Sequence, residues 1–235
     1  MFLEEMKTTD FKDGEKYIFV IPTGSTEQHG PFLPLGTDSY IQDEIIRGTE
    51  KQMPELIFLP TMRITCSEEH EGFAGSVWIS LETMDRVMHD ICKSIEPYAK
   101  KIIFTTAHGG NIEILSKFIE RYKDDFPEVD LHYIDPDNDE VERKTVDLIG
   151  GPIEEHAGNT EISMMLNIRK DITMIPPKDY PKKSINNAFS TNRLKDFSDD
   201  GIADNHPHWV VSKRHGKKII NWIVEGFVDK LKEIV

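Results

Sequence analysis

Four short apolar runs are separated along the chain by segments whose apolar residues recur at helical spacing. The runs cover residues 17–21, 56–59, 101–106 and 129–134. Between them lie 39–51, 82–99 and a segment that begins near Asn111, each with apolar residues every three or four positions. Strands that alternate with helices predict an α/β fold with a mainly parallel central sheet and helices on both faces.

Size and charge restrict the class of protein further. With 235 residues the chain can form one domain over 1–235, in which the long segment 175–205 is expected to cover the site or contact another subunit. A net charge of −14 disfavours nucleic acid and anionic membrane surfaces as partners. The chain has no apolar run of the roughly 20 residues needed to cross a bilayer. Its first residues lack signal-peptide features and it has only two cysteines, so we expect a cytoplasmic location.

The loop after the first apolar run carries side chains that bind metals. In an extended segment, Glu27 and His29 point to the same side because side chains alternate with period two. Asp38 follows nine residues after His29, on a loop stiffened by two prolines that can carry it back. A mixed set of His and carboxylate ligands suits Zn, Mn or Fe rather than Ca. This segment therefore predicts a divalent transition-metal site at the end of a strand.

A second motif follows the third apolar run. His108 stands at the carboxyl end of that predicted strand, where sites form in open parallel sheets. Gly109 and Gly110 let the backbone turn tightly and approach a ligand, and Asn111 is suited to cap the next helix. His108 alone is equally well explained as a structural residue, but with the first motif it becomes a fourth candidate metal ligand.

A third motif combines His156 with Glu161. Asn159 or Thr160 could cap a short helix that carries Glu161, and His156 lies in the loop before it. A Glu in a first helical turn also complements the helix dipole, which leaves a structural explanation open.

These motifs together resemble the creatininase (creatinine amidohydrolase) family. The resemblance spans roughly residues 17–166 and rests on 27–31 with 33–38, on 108–111, and on 156–158 with Glu161 and Ser163. Residues 67–70, with Phe73, Gly75 and Ser76, resemble the family's loop after the second strand. The resemblance implies a three-layer α/β sandwich, a centre of two divalent metal ions and a homo-oligomer, usually a hexamer.

The resemblance also implies a ligand set. Glu27 and His108 would bind one metal, His29 the other, and Asp38 would bridge the two. Creatininase completes its second metal with a Glu two residues after the metal-binding His, where this chain has Gly110. Glu161 is the candidate to fill the position that Gly110 leaves open.

The implied chemistry is hydrolysis of a non-peptide C–N bond in a small cyclic or linear amide. Two divalent ions supply an activated water and Lewis-acid contact to the carbonyl oxygen. His156 would act as general acid/base, or Glu161 if it is not committed to metal. Two alternatives stay open: a hydrolase with another substrate, either a deformylase of a pyrimidine nucleotide intermediate or a ring-opening hydrolase of a carbocyclic ketone, and a non-catalytic metal-binding assembly protein.

Substrate contacts are predicted from the loops near these motifs. The candidate substrate-binding residues are Glu69, His70, Gly109, Gly110 and Asn111. Creatininase places tryptophans around its substrate, whereas residues 150–153 of this chain contain none, so creatinine itself does not follow. Lys182, Lys183 and Arg193 could contact a phosphate-bearing substrate or lie in a solvated loop.

Overall fold

A four-stranded parallel sheet forms the centre of the computed structural model, which describes residues 1–182 and 193–235. The strands are β1 Tyr17–Thr23, β2 Ile57–Phe58, β3 Ala99–Thr106 and β4 Asp130–Tyr133. Their order is β2-β1-β3-β4, and every neighbouring pair is parallel. Thr23 pairs with Thr106, so the central strands β1 and β3 end level with each other.

Six α-helices of the described residues cover both faces of the sheet. They are α1 Thr37–Glu50, α2 Leu81–Ile95, α3 Asn111–Tyr122, α4 Asp139–Ile149, α5 Asn159–Ile168 and α6 Lys213–Lys232. Val20 and Ile103 face a core formed with α1, α5 and α6, whereas Phe19 and Phe104 face a core formed with α2 and α3. The predicted α/β sandwich with a parallel sheet and helices on both faces is confirmed.

Several predicted boundaries differ from the observed ones. Ala99 begins β3 instead of ending a helix, because a 3-10 turn over Glu96–Tyr98, with Pro97 inside it, terminates α2. Helix α4 was not predicted. It begins where the Asn138 side chain accepts hydrogen bonds from two backbone amides, and it ends at Gly150 in the left-handed conformation.

Helix α6 packs on the core. Ser212 caps it, and Ile219, Ile223 and Phe227 are buried in the same cluster as α1 and α5. The apolar face of this helix therefore covers the core of the domain. Within residues 1–182 and 193–235, no helix has both the length and the apolar character that a membrane span requires.

The described parts of the 175–205 segment pack against the domain. Tyr180 contacts Phe32 edge-on, and Leu194 is buried in a small cluster with Phe73. Lys183 lies outside the described residues. The roles expected for this segment, and the assignment of 1–235 to a single domain, stay predictions.

Candidate metal centre

The candidate ligands converge beyond the carboxyl ends of β1 and β3. Glu27 and His29 lie in the loop after β1, Asp38 lies in the first turn of α1, and His108 follows β3. All four side chains are buried. Because β1 and β3 are adjacent and parallel, residues that are 70 to 81 positions apart in sequence meet at one edge of the sheet.

Asp38 lies between the two histidines. Its Oδ1 is 3.0 Å from His29 Nε2, and its Oδ2 is 3.1 Å from His108 Nδ1. Ser25 Oγ donates a 2.6 Å hydrogen bond to Oδ2 and fixes the carboxylate. This arrangement suits a carboxylate that would contact two ions at once.

Three groups of ligand atoms lie in this cluster. His29, Asp38 and Glu161 form one group, in which Glu161 Oε1 lies 3.8 Å from His29 Nε2. Glu27, Glu69 and His108 form the second, in which Glu27 Oε1 lies 3.3 Å from His108 Nδ1. Glu27, His29 and His156 form the third. Within each group the ligand atoms lie within 4.8 Å of one another, which is compact enough for a shared ion.

Backbone carbonyls orient both imidazole rings. His29 Nδ1 lies 3.2 Å from the Glu27 carbonyl, and His108 Nε2 lies 3.0 Å from the Cys66 carbonyl. A carbonyl only accepts, so each of these nitrogens carries the proton when the ring is neutral. The opposite nitrogens, His29 Nε2 and His108 Nδ1, are then free to bind metal, as second-shell contacts commonly arrange.

The donor set fits a divalent metal ion. Both Glu27 carboxylate oxygens are buried without an aligned hydrogen bond from the described residues, although two His nitrogens lie within 3.3 Å of Oε1. A buried carboxylate in that state needs a compensating charge. Two imidazole nitrogens with three or four carboxylates are ligands that Zn, Mn and Fe accept.

Without metal, the charges in this cluster compensate one another. Burial works to raise the pKa of Glu27, but the charge of His108 together with the contacts to His108 and His70 holds the pKa well below its usual range. Burial works to lower the pKa of His29, but the Asp38 and Glu161 carboxylates together raise the pKa well above its usual value. Protonated histidines thus occupy the place of cations in the metal-free protein, so metal binding releases protons.

His156 lies next to this cluster. Its ring centroid is 4.3 Å from that of His29 and 4.6 Å from that of His70, and its Nε2 is 2.7 Å from the Gln28 carbonyl. Burial, reinforced by the charge of His29, lowers the pKa of His156 to about 4. Ala157, the next residue, has φ of 56°, which is uncommon for a residue other than Gly and marks a tight turn beside the site.

The start of α5 differs from the prediction. Neither Asn159 nor Thr160 caps the helix, because the N-cap position belongs to Gly158. Two carboxylates accept the first amides instead: Asp204 Oδ2 from Asn159 N and Glu154 Oε1 from Glu161 N. Burial, with the nearby charges of Glu161 and Asp204, raises the pKa of Glu154 to about 7.

Glu161 is held so that its carboxylate faces the cluster. Its Oε2 accepts a 2.7 Å hydrogen bond from Ala157 N, which leaves Oε1 directed towards His29. The sequence singled out Glu161 but gave no signal for Ser25 or Glu154. Their roles follow only from the way that distant loops meet.

Most of the predicted substrate-binding residues line one cavity of about 690 Å³. Glu69, His70, Gly109 and Gly110 lie in its wall together with Glu27, His108 and His156. Asn111 does not line it, because its buried amide donates to Thr23 and Gly24. Asn111 also does not cap α3, whose N-cap is Gly110. Its role in substrate binding stays a prediction.

The rim of this cavity is acidic. Glu68, Glu71 and Glu155 lie in its wall, and Arg193 is the one Lys or Arg among the described lining residues. Arg193 Nε lies 3.7 Å from Glu71 Oε2. His206 does not lie in this cavity wall, because its buried ring contacts the backbone carbonyls of Ile149 and His208. The rim favours neutral or cationic substrates over phosphates.

Lys182 is committed to an internal ion pair. Its Nζ lies 2.5 Å from Asp204 Oδ2 and 4.0 Å from the centre of the Trp209 ring. Its side chain is only 9% exposed, and that of Asp204 is fully buried. This geometry assigns Lys182 to the anchoring of its segment and leaves it poorly placed for a substrate phosphate.

Lys182→Met is therefore expected to lower the free energy of unfolding by about 3 kcal/mol, because it leaves the Asp204 carboxylate buried without its cation. Chemical denaturation of the metal-free protein measures this. Lys178→Met, at an exposed lysine of the same segment, is the control and should change stability by less than about 0.5 kcal/mol. Unchanged stability with a raised KM for an anionic substrate would contradict the structural role.

Comparison with known proteins identifies the family. A family model described as creatininase, creatinine amidohydrolase, matches residues 4–231. The chain belongs to the creatininase family. The resemblance predicted from the motifs is confirmed, and the chain is a creatininase-family hydrolase with a cluster of metal-binding residues.

Two relatives of this chain are named as peptidases. The mycofactocin precursor peptide peptidase of Mycolicibacterium smegmatis is 27% identical over 222 residues, which cover 91% of this chain and 83% of that protein. The peptidase of the same name from Mycobacterium tuberculosis is 33% identical over 109 residues, 43% of each chain.

Solved creatininases share the fold of this chain. A structure named creatininase Mn superposes with a TM-score of 0.78 at 16% identity, covering 99% of this chain and 97% of that one. A mutant creatininase of Zn–Zn type gives a TM-score of 0.76 at 16% identity, with the same coverage. At this identity the likeness establishes the fold.

Proposed function

We propose that this creatininase-family member is a metal-dependent amidohydrolase that cleaves a C–N bond with a metal-activated water. The observation that carries the proposal is the position of Asp38 between His29 and His108, beside the buried carboxylate of Glu27, which accepts no aligned hydrogen bond from the described residues. In this proposal Glu27 and His108 would hold one ion, His29 and Glu161 would hold the other, and Asp38 would contribute to both. Zn, Mn and Fe are the candidate metals.

Two bound divalent ions would supply an activated water and polarise the substrate carbonyl. The protein's own contribution is orientation and proton transfer. Carbonyl contacts direct His29 Nε2 and His108 Nδ1 into the centre, and Ser25 fixes Asp38. The substrate would enter along the cavity wall beside Gly109, where an added Cβ would meet no atom within 4 Å.

His156 is the proposed general acid/base. Its ring is buried beside His29 and lines the cavity, where it can reach a leaving nitrogen. Since the pKa of His156 is lowered to about 4, the ring is neutral near pH 7 and can accept a proton. Glu161 is the alternative general acid/base if its carboxylate is not bound to metal.

The substrate is an uncharged or cationic amide. The acidic rim and the internal pairing of Lys182 disfavour the nucleotide deformylase alternative, and nothing in the site favours a carbocyclic ketone. Two predicted ligands, Glu27 and His108, line an accessible cavity beside His156, which also speaks against a non-catalytic assembly protein. The small non-peptide amide expected from the motifs remains a candidate.

A short peptide is the second candidate substrate. A cavity of about 690 Å³ falls within the range of about 300–1,000 Å³ typical of sites for drug-sized ligands, which exceeds the needs of one small ring. The relatives named as peptidases point the same way. The acidic rim would suit a peptide with a free amino group or basic side chains.

A substrate panel tests the proposed function. Protein loaded with Mn or Zn is incubated with cyclic amides, N-formyl amides and short peptides, and products are identified by mass spectrometry. We expect one class to gain a water across its C–N bond, with turnover lost on chelation and restored by metal. Failure of the fully loaded protein to hydrolyse any class would contradict the proposal.

His156→Ala is expected to lower kcat at least about 100-fold while metal content stays unchanged, because it removes proton transfer and not a ligand. Metal analysis and steady-state kinetics on the active substrate measure both. His89→Ala is the control. His89 lies on α2 and its ring pairs with Asp125, so the variant should keep the kcat of the wild type. Normal turnover of His156→Ala would exclude the general acid/base role. Loss of an ion would make His156 a ligand instead.

Assembly as a homohexamer and a cytoplasmic location stay predictions. Both follow from the family resemblance and from composition. Size-exclusion chromatography with light scattering measures the first directly.

A further inference from the structure

Gln28 stands in the chain between the proposed ligands Glu27 and His29, and its buried amide is fixed from two sides. Its Oε1 accepts a 2.9 Å hydrogen bond from Gly30 N. Its Nε2 donates a 3.2 Å hydrogen bond to the Gly201 carbonyl, which can only accept. These two contacts decide which end of the amide is oxygen and which is nitrogen.

The second N–H of that amide directs the ring of His70. Gln28 Nε2 lies 3.0 Å from His70 Nδ1, and an amide nitrogen only donates, so Nδ1 accepts. The proton of the neutral ring is then on Nε2, which lies 3.2 Å from Glu27 Oε1 and 4.0 Å from Glu69 Oε1. His70 thus presents an N–H group to the Glu27 carboxylate.

The position of His70 suits the support of a ligand. Its side chain and that of Glu27 are each 1% exposed. In the part of the chain that the structure describes, Glu27 belongs to two of the groups of atoms that are close enough to share an ion, whereas His70 belongs to none. An N–H group that faces a ligating carboxylate restricts its rotation, which is a common support of metal sites.

We propose that Gln28 is a positioning residue that acts through His70: its amide fixes the His70 ring, and the N–H of that ring holds the Glu27 carboxylate in place for metal. The inference rests on the proposed metal-dependent function. It gives His70 a different role from the substrate contact predicted from the sequence. It also makes metal binding at Glu27 depend on Gly201, because the Gly201 carbonyl helps to fix the amide.

The structure offers a way to displace the Gln28 amide without changing Gln28. Gly201 has a φ of 80°, and a Cβ added there would overlap the amide oxygen and carbon of Gln28 and lie 2.8 Å from its Nε2. Gly201→Ala should therefore push the amide away from His70. Gly14 has a φ of 79°, and an added Cβ there would meet no atom within 4 Å. Gly14→Ala is thus the control for backbone strain alone.

Titration with Zn²⁺ alone tests the inference. The proteins are metal-free wild type, Gln28→Met, Gly201→Ala, His70→Ala and the double variant Gln28→Met/His70→Ala, and calorimetry measures their affinities. We expect the affinity of one ion position to fall about 10- to 100-fold in each single variant, because the support of Glu27 is lost. The double variant should lose no more than His70→Ala, since Gln28 acts through that ring.

Nitrogen-15 NMR of the Zn²⁺-loaded proteins, labelled at histidine, reports on the hydrogen bond itself. His70→Ala identifies the His70 signals. We expect an unprotonated Nδ1 in wild type, with a signal that shifts in Gln28→Met and Gly201→Ala because the donated hydrogen bond is gone. Gln42→Met is the matched control, at a buried Gln whose amide has no hydrogen-bond partner among the described residues. It should keep both the signal and the affinity of wild type, and Gly14→Ala should do the same.

The outcomes separate the inference from the proposed function. Wild type that binds no Zn²⁺ would refute the metal-dependent function and the inference with it. Wild type that binds Zn²⁺, with unchanged affinity in Gln28→Met and Gly201→Ala, would overturn the inference alone. Additive losses in the double variant, or weaker binding with an unmoved His70 signal, would mean that Gln28 acts on the fold and would also overturn it. If Gln28→Met does not fold, Gly201→Ala decides.

Discussion

Asp38→Asn is expected to release bound metal and to lower kcat/KM by at least about 100-fold, more than the loss of a residue that only orients a ligand. Asp38 lies about 3 Å from one nitrogen of His29 and one of His108, so one neutralised side chain weakens both proposed ion positions. The amide of Asn would direct N–H groups at nitrogens that need to bind metal. Elemental analysis after dialysis and steady-state kinetics measure the two effects.

Two controls separate loss of a ligand from general damage. Ser25→Ala removes only the hydrogen bond to Asp38 Oδ2, and we expect metal affinity to fall about 10- to 100-fold without loss of the site. Asp43→Asn, on the same helix, disturbs a pair with Arg63 and should keep full metal content. Asp38→Asn with two ions and normal kinetics would remove Asp38 from the centre.

Sequence patterns were sufficient to predict the α/β architecture and the meeting of Glu27 with His108. Strand and helix periods report which faces are buried, and β1 and β3 follow directly from their apolar runs. Loops at the carboxyl ends of adjacent parallel strands must meet, which is why Glu27 and His108 converge as expected.

Other features depend on contacts that no local pattern records. Helix α4 does carry one local signal, the Asn138 cap, but only Val141, Thr145 and Ile149 are buried along it, so its apolar pattern is short. The amides at the start of α5 are satisfied by Glu154 and Asp204, which come from outside the helix. Local propensity favours Asn159 or Thr160 as caps, but tertiary contacts supply carboxylates instead.

The same limit applies to the site. The approach of Glu69 to Gly110 joins residues that are far apart in sequence, and neither carries a local signal of the other. The distance between them follows from how the turn at Glu68–His70 is anchored by His70 to Glu27. Geometry of this kind emerges only after the chain has folded.

Gly216→Ala is expected to lower the free energy of unfolding by about 3 kcal/mol, at the upper end of the usual cost of overpacking. Gly216 lies on α6 where it crosses α5. A Cβ there would lie 2.2 Å from the carbonyl carbon of Ser163 and 2.6 Å from Met164 N. These are backbone atoms, so the two helices must separate. Because Glu161 lies on the same part of α5, metal content should fall as well.

Gly226→Ala is the matched control on the same helix. Its added Cβ would meet the Nδ2 end of the Asn138 side chain at 2.5 Å, and a flexible side chain can move away. Replacing a helix-interior Gly by Ala gains up to about 1 kcal/mol of helix propensity, which applies to both variants and offsets the contact at 226. Denaturation of the metal-free proteins should therefore show a clear loss for 216 and a change within about 1 kcal/mol for 226. Equal stabilities of the two variants would mean that α5 and α6 do not pack backbone to backbone. In that case α6 would not hold Glu161 in position either.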